Sequence, residues 1–154
     1  MARGDELQDE EELVRALYFP LWDEVRRRAT TAAFCQTEVS VSRTRVLPYS
    51  EIVQIFKDDL NDKDLGNGRT RSVVATATLR DIRRHCDDVP ANEPPPPVVA
   101  TVVEDPVACE PPLRDNPAHA LIKGHDRSPP GEPRKLTKGM ANRLLRASTI
   151  LAVD

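Results

Sequence analysis

The residue in this chain best placed by its surroundings to move a proton is His119, inside the run RDNPAHALIKGH at residues 114–125. An imidazole titrates near neutrality, so it can take up and release a proton under physiological conditions. The turn signal Asp115, Asn116, Pro117 stands just before it and can aim the ring. Asn116 would orient the ring. Arg43 or Arg45 could hold an anion, because a planar guanidinium donates two parallel hydrogen bonds to phosphate or carboxylate. Thr30, Thr31, Ser40 and Ser42 supply hydroxyls that could complete the set. The competing reading is structural: Asn116 starts a turn, His119 bonds to backbone, and the segment is thereby fixed to the core.

Metal chemistry would fall to His85, Cys86, Cys109, His119 and His125, which are spaced 1, 23, 10 and 6 residues apart. None of these spacings is a CxxC, HExxH or Cys2His2 pattern, so local geometry pairs no two ligands, and no metal or cofactor is expected unless the five converge in space. The acids Asp58, Asp59, Asp62 and Asp64, with Asn61, suggest a calcium loop, but its spacing fails. Counting from Asp62 puts Asn67 where glycine is needed and Val73 where the bidentate glutamate belongs. GNGRT at residues 66–70 has neither the lysine nor the glycine spacing of a phosphate loop, and it follows a helical pattern where such loops follow a strand.

These groups must be positioned by a chain of 154 residues, enough for one domain that buries roughly two thirds of its unfolded surface. The apolar fraction of 39% is below the globular average of about 45–50%, which we attribute to tails and a loop. The net charge of −3 hides a gradient: residues 1–12 carry six acids against Arg3, and residues 123–146 carry seven Lys or Arg against Asp126 and Glu132. Lys135, Lys138, Arg143 and Arg146 could meet phosphates, yet no aromatic stands nearby to stack on a base. An odd count of three cysteines argues for a reducing cytoplasm. With no apolar run of roughly 20 residues and an acidic N-terminus, neither a membrane span nor a signal peptide is expected.

The expected fold is a small α+β domain with a three- or four-stranded sheet, N-terminal helices and a C-terminal basic amphipathic helix. Leu13, Val14, Leu17 and Tyr18 recur at helical spacing, and a second helical piece after Pro20 would turn Arg26, Arg27 and Arg28 to solvent. Val39 and Val41 alternate with Ser40 and Ser42 as in a half-buried strand. Ser50 is placed to cap a helix carrying Ile52, Val53, Ile55, Phe56 and Leu60, after which Asn67 and Gly68 can close a tight turn. A strand is expected over residues 73–78, running into a helix over residues 79–86, and another strand over VVATVV at residues 98–103.

Residues 90–133 hold twelve of the fourteen prolines, so any order there comes from docking. The domain plan is an acidic tail over residues 1–12 and a core over 13–126 with a stiff connector at 90–97. A linker over 127–135 and a helix over 136–154 complete it, the helix capped by Thr137 with Met140, Leu144, Ala147 and Leu151 on one face.

Two stretches, TTAAFCQTEVSVSR at residues 30–43 and DNPAHALIKG at residues 115–124, together resemble a set of short, uncharacterised bacterial proteins. These share a pair of small hydroxyl residues, an Ala-Phe step, a Ser-Val-Ser strand followed by arginine, and an Asn-Pro-Ala-His-Ala box. The run RKLTKGMANRLLRAS is similar to the basic helix that closes them. The resemblance implies no activity, but it implies that Asn116 and His119 neighbour residues 30–43. It also implies that Pro94 to Pro97 and VVATVV are local elaborations without function.

The leading expectation is a non-catalytic cytoplasmic interaction module, an accessory subunit of a multi-protein bacterial system. It would bind a protein partner through the proline-rich segment or through Lys135, Lys138, Arg143, Leu144 and Arg146. The alternatives are a small enzyme acting on a nucleotide, nucleic acid or protein with His119, Asn116 and Arg43, and a nucleic-acid binder using the basic helix.

Overall fold

Apolar residues that fall on both faces of a strand mean that both faces are covered, and that condition organises this molecule. The computed structural model describes residues 11–18, 20–23, 25–60, 64–66, 69–70, 73–80, 98–105, 116–126 and 131–153. Leu13–Leu17 (β1) is buried at every position. Leu13 and Leu17 join one core, while Val14 and Ala16 join a second on the opposite face. The expected first helix is therefore a strand: apolar positions 13, 14, 17 and 18 fit a helical stripe, but they also fit a strand packed on both sides. The second expected helix is likewise a hairpin of Trp22–Asp23 (β2) and Arg28–Ala29 (β3). Asp23 Oδ1 accepts the N–H groups of Val25 and Arg26, which bends the chain, and Arg27 takes the left-handed conformation with φ 53°.

A short 3-10 turn at Thr31–Ala33 leads to Glu38–Arg43 (β4), the strand expected there. Helix Tyr49–Leu60 (α1) starts one residue before Ser50, with the Pro48 carbonyl accepting from Glu51 and Ile52 at 3.0 Å each, so Ser50 lies inside the first turn and not at the expected cap. Asp64–Gly66 (β5) pairs with Arg69–Thr70 (β6), Gly66 opposite Arg69. The turn expected at Asn67 and Gly68 lies outside the described residues. Ala75–Leu79 (β7) continues to Leu79, the residue at which a helix was expected, and residues 81–86 of that helix lie outside the description.

Val98–Glu104 (β8) and His119–Asp126 (β9) come from the proline-rich half and are core strands. The expected connector at residues 90–97 lies outside the described residues. Lys138–Ala147 (α2) is capped as expected, Thr137 Oγ1 accepting from Met140 N–H at 3.2 Å, but the chain then turns into Thr149–Ala152 (β10).

The result is a small α+β domain whose main sheet has six antiparallel strands in the order β10-β7-β1-β4-β9-β8, not three or four. One face packs Leu13, Val41 and Ile122 against Phe34, Met140 and Leu144; the other packs Val14 and Ala16 against Ile52 and Phe56 of α1. Among the described residues, no helix is long and apolar enough to cross a membrane. The expected linker at 127–135 is docked from residue 131 onward: Asp126 N–H donates to Glu132 O and Arg134 N–H to Gly124 O, each at 2.9 Å.

Candidate functional site

The β4–β9 ladder sets Ser42 directly opposite His119, and paired residues of antiparallel strands share a face. Asn116 closes the turn that feeds β9: its Oδ1 accepts the Ala118 N–H and its Nδ2 donates to Ser42 Oγ, both at 3.1 Å. His119 Nδ1 lies 2.9 Å from the backbone oxygen of Asp105 and 3.1 Å from Asp105 Oδ2. A carbonyl oxygen can only accept, so Nδ1 is the donor in this contact. The structure thus brings together Asn116, His119 and the residue 30–43 segment, and adds Asp105, which the sequence reading missed. The available signal was an acid at the end of the β-branched run VVATVVED.

Chemically, this is a ring oriented by a carboxylate beside a hydroxyl. Ser42 is fully buried and Asn116 nearly so, however, and the hydroxyl is already bonded, so it is not presented to a substrate. The Asn116 and His119 Nδ1 contacts tie β9 to Ser42 of β4 and to Asp105 just after β8.

Arg43 points to the other face. Val39, Val41 and Arg43 share one phase of β4, and Val98, Ala100, Val102 and Glu104 share one phase of β8, so both charges fall on the buried side. Arg43 Nη1 bonds Glu104 Oε1, while Nη2 lies 2.5 Å and Nε 3.2 Å from the two oxygens of Glu11. Its pKa is raised, chiefly by the hydrogen bond to Glu11 and opposed by burial. Arg43 is therefore not an open anion clamp; its guanidinium is engaged by two carboxylates. Glu104 Oε2 is buried with no hydrogen-bond partner among the described residues. Arg45 is exposed, 3.9 Å from Glu11 Oε1.

A second buried cation among the described residues escaped the sequence reading. Arg15 shares the phase of Leu13 and Leu17, and donates to the carbonyls of Ala33 and Ser40 at 3.1 Å each. Burial lowers its pKa, because removing water disfavours the charge.

Leu144 lies inside the core, so it cannot be a partner contact in this fold. Lys135, Lys138 and Arg146 are exposed and Arg143 is half-buried. At 3.6 residues per turn the three basic positions of α2 span an arc of about 140° opposite the core face, a charged face without a stacking aromatic. His85, Cys86 and Cys109 lie outside the described residues. His119 and His125 stand six residues apart on one strand, about 20 Å, which is too far to share an ion. Among the described residues, no three metal-capable side chains cluster.

A half-open hollow of about 490 Å³ lies beside β10, where Glu12, Tyr49, Thr78, Arg80, Thr149 and Leu151 line it. No protein family, curated protein or solved structure with which the chain was compared matches it.

Proposed function

We propose that this chain is a non-catalytic protein-interaction module, a cytoplasmic accessory subunit that binds an extended segment of its partner along the outer edge of β10. The observation that carries this reading is β10 itself: all four residues are exposed, with Ile150 39% and Leu151 45% open on opposite faces of a strand at the end of the sheet. An edge strand presents unpaired N–H and C=O groups, and natural edges are usually blunted by Lys, Pro or a bulge. TILA has neither residue, and its register with β7 is regular. The inward apolar face of α2 and the engagement of Arg43 favour this surface over the helix and over a catalytic centre.

The test compares the mass in solution of the wild-type chain and an Ala152→Pro variant, each co-expressed with the proteins encoded beside it. A heavier assembly that the variant loses supports the reading. A monomer in both cases, or an assembly indifferent to the variant, defeats it.

One observation favours a second reading, an acid–base enzyme: Asp105 orients His119 directly across from Ser42. Turnover of a nucleotide or peptide model substrate that falls at least about a hundredfold in a folded His119→Gln variant would support it. No turnover by the wild-type chain on a panel of such substrates would end it.

A further inference from the structure

The hollow beside β10 bears on which segment the edge would take, an inference resting on the strand-addition reading. Val153 N–H donates to Val74 O at 2.9 Å, and Thr149 and Leu151 stand opposite Thr78 and Thr76. Backbone groups alternate sides along a strand, so the N–H and C=O of Ile150 and Ala152 turn outward from β7. Those groups are the ones an added strand would bond.

Thr149 and Leu151 turn their side chains toward the α1 side, where the hollow of about 490 Å³ opens in front of Tyr49. A residue added opposite Thr149 would point to that same side. Its polar neighbours would be the hydroxyls of Thr78 and Thr149, the guanidinium of Arg80 and the carboxylate of Glu12 that pairs with it. The Tyr49 hydroxyl is occupied, 2.7 Å from Thr76 Oγ1.

Arg80 and Glu12 balance in charge there, and the arginine is the more exposed member of the pair. Arg80 is 76% exposed, whereas Glu12, which accepts from its Nε and Nη2 at 2.6 Å, is 25% exposed. Hydroxyl donors and a guanidinium are complementary to a carboxylate. Neighbouring strands lie about 4.8 Å apart, so an added strand runs about 10 Å from β7, a gap that an arginine and an acidic side chain close between them. The C-terminal end of α2 beside the hollow does not oppose this: Ser148 N–H and Oγ donate to the Leu145 and Leu144 carbonyls, and Arg146 sits on the last turn.

We infer that the β10 edge selects an extended peptide carrying an aspartate or glutamate at the position that faces this hollow. The experiment is selection of a displayed library of random hexapeptides against the full chain, followed by titration of an enriched peptide and its acid-to-amide version, read at the amide resonances of Ile150 and Ala152. The expected result is one acidic position in the enriched set, an affinity drop of about tenfold or more on Glu→Gln in the peptide, and equal affinities in an Arg80→Gln chain. Enriched peptides that shift Ile150 and Ala152 but show no acidic preference overturn the inference and leave strand addition standing. No enrichment above that for Ala152→Pro defeats both.

Discussion

Arg43 separates a binding residue from a structural one by what surrounds its guanidinium. A free anion clamp keeps its charge toward a cleft; Arg43 is buried between Glu11 and Glu104, carboxylates that come from 32 and 61 residues away in sequence. Removing it would leave two carboxylates buried without their cation, so Arg43→Met should cost about 3–5 kcal/mol in urea unfolding. Arg43→Lys should cost less but not nothing, since a single ammonium cannot reproduce the fork that holds two acids. A loss below about 1 kcal/mol for Arg43→Met would mean that the cluster is not load-sharing with the fold. Its titration offers no shortcut. Because the folded pKa is raised, the stabilisation is complete below the ordinary arginine value and is lost as pH rises from there through the higher folded value. The alternation of Val39 and Val41 continues to Arg43 and could have marked it as buried, where the sequence reading took it for an anion clamp. Which acid it meets was not legible, because contacts this distant leave no spacing to read. Asn116 makes the complementary case: the motif reading located it, and its bonds to Ser42 and Ala118 are structural. Asn116→Ala should cost about 1–3 kcal/mol by leaving a buried hydroxyl and a buried N–H without that partner, with the urea midpoint again as the measure.

At the scale of elements, the errors of sequence reading come from apolar spacings that fit a helix and a strand equally. Leu13 to Leu17 looked helical because a strand covered on both faces loses the period-2 alternation that marks a half-covered one, as β4 keeps it with exposed Glu38 and Ser40. Leu151 looked like the last turn of α2 because it stands seven residues after Leu144, yet Ser148 caps the helix and Leu151 is exposed on β10. Thr137, α1 and β8 were legible because their signals are local: a cap, an amphipathic stripe, a β-branched run. Gly124 shows what was not. A Cβ placed there would meet Arg134 O at 2.1 Å and Leu136 Cδ2 at 3.0 Å, so the glycine in β9 exists to let residues 134–136 cross over the strand. The obstacle is backbone, which cannot rotate aside. Gly124→Ala should therefore destabilise the fold by about 2–3 kcal/mol and release the 131–136 segment, seen as faster exchange of the Arg134 amide, which now donates to Gly124 O. Full retention of that protection would show that the crossing has slack.

For the whole molecule, the strand order explains why the sheet was underestimated and where it is open. The sequence showed three strand signals, β4, β7 and β8; β1 and β10 were masked by helical spacing, and β9 by a turn motif whose imidazole drew a chemical reading. The acidic and basic ends of the chain said nothing about order, because charge patterning reports on solvent and partners and not on pairing. Among the described residues, the sheet places β1, β4, β9 and β7 inside and leaves β10 at one end, paired with β7. Stability should be distributed accordingly, with central-strand amides exchanging only through global unfolding and the β10 edge exchanging from the native state. The alternation along β10 makes this a sharp comparison within four residues. Val153 N–H is held by Val74 O, while the amides of Ile150 and Ala152 face outward. Native-state hydrogen exchange should show Ile150 and Ala152 at least about tenfold faster than Leu151 and Val153. Partner binding along the edge should erase that difference. Uniform protection from Ile150 to Val153 in the isolated chain would mean that another part of the molecule already pairs with β10, and the open edge on which strand addition depends would not exist.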